Sequence, residues 1–371
     1  MRKKIVLCVL NDLYTDTRID KVSCSLMKMG FEVWVVGCRC KQSPSLSKPF
    51  HTKRFRMLFK KRFPFFAEFN IRLFFHLLFN SYDILVANDL ETLLPVFLMS
   101  RLKKKPIVYD SHEYFCEMIT VIHKPLVRKI WLAVERFCFP KLKHVITVSP
   151  SIAKAYQKQY GVDVQVVRNI PSKEKPAVTQ TRKSLGLPED KTIVILQGNH
   201  IARDRGAEEL LESMPFTSKE AFLLIVGSGE VIETLKQKTQ TLHLENRVRF
   251  VDRVPPETLF NYTCLADIGI SFDKNVSKDH YFSLPNKIFE YIQAETPLLI
   301  SNLPERSYIV STCRVGLIVE ELTPQSIAEA INLLIEDQSL YNKLKANCKE
   351  AAKTLNWENE EKVLQKIYSG L

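Results

Sequence analysis

A predicted helix start near Ser283 combines groups that could bind a phosphorylated ligand. Ser283 is the predicted N-cap, and Pro285 suits the first helical turn, because its missing N–H would be unpaired there anyway. The amides of Ser283, Leu284 and Asn286 would then lie at the positive end of the helix, where a phosphate or diphosphate binds readily. Glu290 shares a helix face with Asn286, and its carboxylate could accept hydrogen bonds from ribose hydroxyls. A nucleotide-sugar pocket has this chemistry, but an ordinary amphipathic helix with a solvated glutamate fits the residues equally well.

Three polar side chains in the first half of the chain each follow an apolar run. They are Asp16, Asp89 and His112. Ligands of an open parallel sheet bind at the carboxyl ends of its strands, so these three side chains should converge on one crevice. A histidine there can hydrogen-bond a sugar hydroxyl, whereas the structural alternative is a histidine that only caps a strand end. A zinc-protease motif is excluded, because H-E-x-x-H would require histidine where the chain has Cys116.

The elements that position these residues alternate between strand and helix. A strand–helix–strand unit opens the chain over residues 5–37, which implies a parallel sheet. The alternation restarts at residue 192, after a polar, proline-rich segment at 168–176 that marks a linker. We therefore predict an α/β protein with an N-terminal domain at 1–170, a second domain at 171–355 and a C-terminal helix at 356–371.

Length and composition are those of a globular protein with two domains. The chain has 371 residues, 46% of them hydrophobic and 25% charged. Its nine cysteines form no C-x-x-C motif, and only Cys38 and Cys40 are closely spaced, which favours buried free thiols in a reducing compartment. The apolar run in the first ten residues is too short for a secretory signal, and no run approaches the roughly 20 residues that span a bilayer. We therefore expect a cytoplasmic protein.

Positive charge is concentrated in the first half of the chain. Residues 1–170 hold 29 Lys and Arg against 13 Asp and Glu, a net +16, whereas the remainder holds 24 against 28, a net −4. This asymmetry predicts an anionic partner for the first half only.

Residues 51–79 carry much of that charge. This segment has seven basic residues, one acid (Glu68) and nine phenylalanines. Basic residues mixed with aromatic residues fit the surface of an anionic membrane, to which the protein would bind peripherally on the inner face. Two other interpretations of this segment remain. It could bind a nucleic acid whose bases stack on the aromatic rings, or its phenylalanines could belong to the core while its basic residues form a solvated rim. No zinc-finger, RNP-type or helix-turn-helix signal supports a nucleic acid, so no nucleic-acid partner is expected.

The segment Ser-Leu-Pro-Asn-Lys-Ile-Phe-Glu-Tyr at 283–291, followed by Thr-Pro-Leu-Leu-Ile-Ser at 296–301, resembles the donor site of GT-B glycosyltransferases of the GT4 type. The resemblance implies that Glu290, the second glutamate of an E-x7-E pattern, binds the donor ribose. Phe282 stands where the family has the first glutamate. Asp-x-Arg-Ile at 16–19 and Tyr-Asp-Ser-His-Glu at 109–113 also resemble this family, and imply that His112 lies beside the donor sugar.

The resemblance also implies a basic pair that grips the diphosphate. Arg205 matches its second member, whereas the first member, which follows Gly198, is replaced by Asn199. Arg203 or Lys287 could supply the missing charge. A cation pair stabilises a nucleoside-diphosphate leaving group in the absence of a metal site, so no metal or other cofactor is expected.

Further expectations follow from the same resemblance. The two Rossmann-like domains should face each other across a cleft, and the C-terminal helix should cross back onto the first domain. The loop at 252–254, with Arg253, should hold the base. Glu295 replaces the usual glycine after the helix of Glu290, so that helix should end in a different way.

The resulting prediction is a retaining, metal-independent glycosyltransferase. It would move a sugar from a UDP- or GDP-sugar to a glycan or lipid-linked acceptor in cell-surface polysaccharide synthesis, with Asp16 and Asp89 on the acceptor side. One alternative is a nucleotide-sugar epimerase or a phosphorylase on the same fold, although no convincing acid/base carboxylate pair supports an epimerase. Another is a non-catalytic, membrane-associated scaffold, which would show no saturable binding of a nucleoside diphosphate.

Overall fold

The computed structural model describes residues 2–14, 16–39, 43 and 45–371, without the side chain of Arg62. Cys40 lies outside the described residues. The chain divides into two compact units. The first contains the chain up to Asn169 with residues 277–279 and 360–371, and the second contains residues 170–276 and 280–359.

The first unit is built on a sheet of seven parallel strands in the order β3-β2-β1-β4-β5-β6-β7. The central strand, Ile84–Asn88, is buried along its whole length, which is why it begins with the apolar run Ile-Leu-Val-Ala. The strands are β1 (Lys4–Cys8), β2 (Glu32–Arg39), β3 (His51–Arg56), β4 (Ile84–Asn88), β5 (Ile107–Ser111), β6 (His144–Thr147) and β7 (Val164–Val166). The helices are α1 (Thr17–Lys28), α2 (Arg62–Phe79), α3 (Leu90–Lys103), α4 (Ile119–Ile122), α5 (Pro125–Cys138) and α6 (Pro150–Tyr160).

The second unit has a sheet of six parallel strands in the order β10-β9-β8-β11-β12-β13. Apolar side chains pack on both of its faces. The strands are β8 (Thr192–Gly198), β9 (Ala221–Gly227), β10 (Val248–Val251), β11 (Ile268–Ser271), β12 (Leu298–Ser301) and β13 (Gly316–Val319). The helices are α7 (Ala207–Ser213), α8 (Ile232–Thr241), α9 (Pro256–Leu265), α10 (Lys278–Phe282), α11 (Asn286–Gln293), α12 (Pro304–Cys313), α13 (Pro324–Glu336), α14 (Gln338–Ala352) and α15 (Trp357–Ser369), of which α10 and α15 also supply residues to the first unit.

The prediction of two parallel-sheet α/β domains is confirmed. The segment 51–79, for which no element was predicted, forms the edge strand β3 and the helix α2. In the described part of the chain, no helix is both long enough and apolar enough to cross a membrane.

Candidate functional site

His112 of the first unit follows β5 and lies between two carboxylates. Its Nδ1 is 3.1 Å from Asp89 Oδ2, and its amide donates to Asp89 Oδ1 at 2.8 Å. Its Nε2 is 3.4 Å from Asp110 Oδ2, an ion-pair distance without good hydrogen-bond geometry. The two aspartates come together because β4 and β5 are neighbours, with Asn88 directly opposite Asp110. Asp89 and His112 therefore converge as predicted.

The charge of this group is set by its neighbours. Burial by itself lowers the pKa of His112, but Asp89 and Asp110 together outweigh burial and raise the pKa to about 10. The ring is therefore an imidazolium at neutral pH. It can donate hydrogen bonds and stabilise negative charge, but it is poorly suited to act as a general base.

A buried arginine completes the network. The Arg18 Nη2 atom is 2.7 Å from Asp110 Oδ1, its Nε donates to Asp110 Oδ2 at 3.1 Å, and its Nη1 donates to the Val167 carbonyl at 2.9 Å. Burial raises the pKa of the Asp110 carboxyl, but Arg18 and His112 outweigh it and hold that pKa well below its usual range. Asp110 thus stays ionised and orients the imidazolium.

Asp89 has an unusual backbone. Its φ of 60° lies in the region that glycine favours, and such a conformation costs an aspartate about 1–3 kcal/mol. The turn directs the Asp89 carboxylate back onto both the amide and the ring of His112. Strain of this kind is concentrated at functional sites.

Asp16 serves mainly to begin α1. Its Oδ1 accepts from the Ile19 amide at 2.9 Å, which is an N-cap bond, and its Oδ2 accepts from Asn11 Nδ2 at 2.5 Å. Among the described contacts, none joins Asp16 to His112 or to Asp89. The helix that it caps carries Arg18, so Asp16 supports the histidine network indirectly.

Glu290 of the second unit lies on α11 and is held by a buried amide. Gln197 Nε2 donates to Glu290 Oε2 at 2.6 Å, and Thr263 Oγ1 donates to Gln197 Oε1 at 2.8 Å. An ionised carboxylate can only accept hydrogen bonds, so the NH2 group of Gln197 must face Glu290, which leaves the amide oxygen toward the Thr263 hydroxyl. Glu290 is thereby oriented before any ligand binds.

Three cationic side chains surround Asp273, which follows β11. Arg205 donates to Asp273 Oδ1, and Arg306 Nη1 is 3.2 Å from Asp273 Oδ2. Lys287, in the first turn of α11, feels the charge of all three groups. Glu290 also acts on Lys287, so two carboxylates face three cations and one net positive charge remains. Arg306 is fully buried, so Arg205 and Lys287 are the members of this cluster that an anion can reach.

The pKa values record this surplus. Burial lowers the pKa of Lys287, and Arg205 and Arg306 add to that effect. Asp273 and Glu290 oppose it, and the resulting pKa is about 8. Burial raises the pKa of Asp273, but Arg306, Lys287 and Arg205 together hold it well below its usual range. A bound diphosphate would restore the usual preference of Lys287 for its charged form.

A glycine positions Arg205 next to Asp273. Arg205 ends a 3₁₀ turn, and Gly206 follows with φ 69°. A Cβ atom on Gly206 would lie 2.3 Å from the carbonyl oxygen of Phe272, so only glycine fits this position. The close packing places Arg205 beside the end of β11.

The predicted N-cap was wrong. The cap position of α11 is Pro285, without a side-chain bond, and Ser283 donates both its amide and its hydroxyl to the His280 carbonyl, at 3.3 and 2.9 Å. The Ser283 amide is therefore not available to a phosphate as predicted. Its Oγ instead accepts from Arg306 Nη2 at 2.8 Å, which ties the loop to the cation cluster.

The other predicted donor-site residues differ in their surroundings. Leu284 is buried under α11, whereas Asn286 is exposed at its first position. Gly198 ends β8, and the exposed Asn199 and Arg253 follow β8 and β10. Arg203 is also exposed, so of the two proposed substitutes for Asn199 the structure brings Lys287 to the cluster.

The end of α11 also differs from the prediction. Glu295 has φ 60°, and the Thr296 amide donates to the Tyr291 carbonyl at 2.9 Å. This is the left-handed helix ending that glycine usually adopts, here formed by a glutamate. The expectation of a different ending was therefore wrong.

Sequence reasoning missed Gln197, Asp273 and Arg306 as site residues. Gln197 is the last side chain of β8 before Gly198, and Asp273 comes two residues after β11, so both carried the strand-end signal that found Asp89. Arg306 had no such signal, because its burial depends on residues 23 and 33 positions away in the chain.

Two family models match the chain. The model for glycosyl transferases group 1 matches residues 177–354, and that for Glycosyltransferase Family 4 matches residues 16–171. The lipopolysaccharide core biosynthesis glycosyltransferase LpsD of Rhizobium meliloti is 26% identical over 234 residues, which cover 63% of this chain and 64% of LpsD. The matches span between 45% and 64% of the length of such curated relatives.

Solved structures of GT-B glycosyltransferases share the fold over essentially the whole chain. Sucrose-phosphate synthase from Thermosynechococcus elongatus superposes with a TM-score of 0.84 at 19% identity, covering 100% of this chain and 99% of the other. Anabaena HepE, solved in complex with UDP-glucose, gives a TM-score of 0.75 at 15% identity, covering 99% and 100%. These likenesses confirm the predicted fold class.

Proposed function

The chain belongs to the group 1 glycosyltransferases of the GT4 type, and on that premise we propose that it transfers a sugar from a nucleotide-sugar donor to a glycan or lipid-linked acceptor. The proposed acceptor class is that of cell-surface polysaccharide synthesis, and the related LpsD is named for lipopolysaccharide core biosynthesis. The donor is a substrate, and the proposal includes no metal or other cofactor.

One observation carries this proposal: α11 holds both a pre-oriented carboxylate and a lysine of the cation cluster. Glu290 is fixed by Gln197, and Lys287 lies one turn earlier on α11 beside Arg205 and Arg306. A nucleoside diphosphate offers the matching groups, since ribose hydroxyls can donate to Glu290 and the diphosphate can bind the cations. HepE, a structural neighbour, has been solved with UDP-glucose bound.

In the proposed reaction, the bond between the anomeric carbon and the diphosphate oxygen breaks as the acceptor oxygen bonds to the same carbon. Arg205 and Lys287 stabilise the charge that develops on the leaving diphosphate. The acceptor hydroxyl gives its proton to a leaving phosphate oxygen, a front-face course that retains the anomeric configuration. The Nδ1–H of His112 faces Asp89, so in this proposal the Nε2–H, which makes no hydrogen bond to Asp110, donates to a sugar hydroxyl, and the ring removes no proton.

We assign Asp89 and Asp16 to the acceptor side. Asp16 contributes indirectly, because it caps α1, the helix that carries Arg18.

An anionic membrane surface is the proposed partner of residues 51–79. Large apolar side chains of α2 are exposed there, including Phe63 at 68% and Phe79 at 80%. Buried free thiols such as Cys8 and Cys138 favour a reducing compartment, so we place the protein in the cytoplasm at the inner face of the cell membrane.

The direct test is to incubate the purified protein with UDP-, GDP- and ADP-sugars and a crude acceptor extract, and to measure release of the nucleoside diphosphate. We expect release from one donor, and a loss of more than about tenfold in kcat/KM in Glu290→Gln. Glu336→Gln removes the charge of an exposed glutamate of the second unit and should leave the rate unchanged. Conversion of the donor into its epimer without release of diphosphate would identify an epimerase instead, and a protein that bound no donor would be a scaffold.

A further inference from the structure

A cavity of about 440 Å³ opens in the first unit at the amino ends of β5 and β6. His112 follows the carboxyl end of β5, so this cavity lies at the other end of the sheet from the histidine network. The cavity is walled by the C-terminal turn of α3 and by the residues that precede β6. Its cationic lining residues are Arg101, Lys104, Lys105, Lys141 and Lys143. His144 also lines the cavity, but burial and the charge of Lys143 lower its pKa.

The lining of the cavity is cationic. Among the described residues, those that line it include no acid. Lys105 is partly neutralised, since its Nζ is 3.0 Å from Asp83 Oδ1. Lys104 and Lys143 are exposed at the rim, and Lys104 has φ 53°, the left-handed conformation that ends α3 and turns the chain around the cavity.

Local contacts hold two of the cations in place. Arg101 Nη2 donates to the Lys141 carbonyl at 2.8 Å, and the Arg101 Cζ atom lies 5.1 Å from the centre of the Phe97 ring. The Lys141 Nζ atom lies 3.8 Å from the centre of the Phe137 ring. An anion entering the cavity would therefore meet positive charges that are already positioned.

Exposed apolar side chains adjoin the cavity. Leu102 follows Arg101 at the end of α3 and is 62% exposed. Phe79, at the end of α2, is 80% exposed and precedes Asn80, whose carbonyl accepts from Lys103 Nζ at 2.8 Å. Aromatic contacts join the helices of this surface: Phe97 of α3 packs against Phe137 of α5, with ring centres 5.7 Å apart. Trp131 of α5 packs against Phe66 of α2, also at 5.7 Å. A surface that combines exposed apolar groups with a cationic cavity matches the interface of an anionic bilayer, where acyl chains lie beneath phosphate groups.

We propose that this cavity binds the phosphate of an anionic phospholipid headgroup while apolar side chains of α2, α3 and α5 enter the interface. The proposal rests on the membrane partner of the proposed function and extends it to a defined site outside residues 51–79. It assigns Lys104 and Lys143 to the headgroup and Leu102 to the acyl boundary.

The experiment measures partitioning of the full chain onto vesicles of 30% phosphatidylglycerol in phosphatidylcholine, with pure phosphatidylcholine vesicles in parallel. We compare the wild type with Lys104→Gln/Lys143→Gln. The matched control is Lys362→Gln/Lys366→Gln, which removes two positive charges from exposed positions of α15, a helix paired with α1 through Glu361 and Lys28. The cavity variant should partition onto the anionic vesicles about 30-fold more weakly than the wild type, while the control loses much less.

Three results would overturn the proposal. The cavity and control variants could lose affinity equally, which would indicate a diffuse electrostatic effect. Inorganic phosphate could bind the wild type saturably at the same residues while the vesicles do not, which would indicate a soluble anion. A single-stranded oligonucleotide could compete away the vesicles and lose affinity in the same variant, which would indicate a nucleic acid.

Calorimetry with nucleoside diphosphates separates this proposal from the proposed function. The cavity variant should bind the diphosphate as the wild type does, because the cation cluster of the second unit is unchanged. Loss of vesicle binding with intact diphosphate binding supports the lipid site. Absence of diphosphate binding with intact vesicle binding would instead contradict the donor site.

Discussion

Raising the pH from 7 to 9 should destabilise the first unit, because it removes the proton that His112 holds between Asp89 and Asp110. The imidazole of an unfolded chain has a pKa of about 6.5, whereas the pKa in the folded unit is about 10. A pKa raised by folding contributes stability that is fully present below the unfolded value and is lost as the pH rises through the folded value. The loss should therefore run from about pH 6.5 to pH 10.

The size of the effect follows from proton linkage. With these two pKa values, protonation of His112 contributes about 4 kcal/mol at pH 7 and about 1.4 kcal/mol at pH 9. The difference of about 2.5 kcal/mol is the expected loss. A His112→Gln variant keeps a hydrogen-bonding side chain but binds no proton, so it should lack this pH dependence.

Urea unfolding at pH 7 and pH 9 measures the loss as a double difference, in which the titration of other groups cancels. Two of the three tryptophans, Trp34 and Trp131, belong to the first unit, so a Trp357→Phe background makes the fluorescence report that unit. The advantage of the wild type over His112→Gln should shrink by about 2.5 kcal/mol between the two pH values. An advantage that stayed constant would refute the charged, doubly paired histidine.

Three further predictions concern the second unit. The affinity for a nucleoside diphosphate should fall above pH 8, by up to about tenfold per pH unit, because the Lys287 ammonium loses its proton there. Calorimetry at pH 7 to 9.5 checks this, and Lys287→Met should bind the diphosphate more weakly without the pH dependence. Arg306→Met should destabilise the unit by about 3–5 kcal/mol, because it removes one member of the buried ion pair with Asp273, while Arg203→Met, at an exposed position, should change stability by less than about 0.5 kcal/mol. Denaturant unfolding measures both variants, and equal effects would contradict the assigned burial of Arg306. Glu295→Gly should stabilise the unit by about 0.5–1 kcal/mol, because glycine adopts the left-handed conformation without strain and this gain exceeds the loss of the half-exposed ion pair with Lys175. A lower melting temperature in the variant would show that the ion pair contributes more than the strain.

The two sheets could be predicted from the sequence because parallel strands buried on both faces read as continuous apolar runs. Edge strand β3 has no such signal: its sequence His-Thr-Lys-Arg-Phe-Arg is polar, and its residues are exposed or half-buried. Its place in the sheet is set by pairing with β2, from Trp34 opposite His51 to Arg39 opposite Arg56. Pairing between segments distant in sequence is not encoded in local periodicity.

The site could be predicted in part for the same reason. Asp89 and His112 follow strands, and strand order alone brings such residues together. The N-cap at Ser283 was wrong because the His280 carbonyl, in the preceding turn, competes for both donors of that serine. Arg306 has the composition of a surface residue, and only its long-range contacts with Asp273 and Ser283 explain its burial.

The central claim is that the second unit binds a nucleoside diphosphate through Glu290 and the cations around Asp273. Isothermal calorimetry of the full chain with UDP, GDP and ADP, repeated on Glu290→Ala, tests it most directly. We predict saturable binding of one diphosphate, weakened by more than about tenfold in the variant, roughly 1.4 kcal/mol. Binding of none of the three, or equal binding by the wild type and Glu290→Ala, would contradict the account.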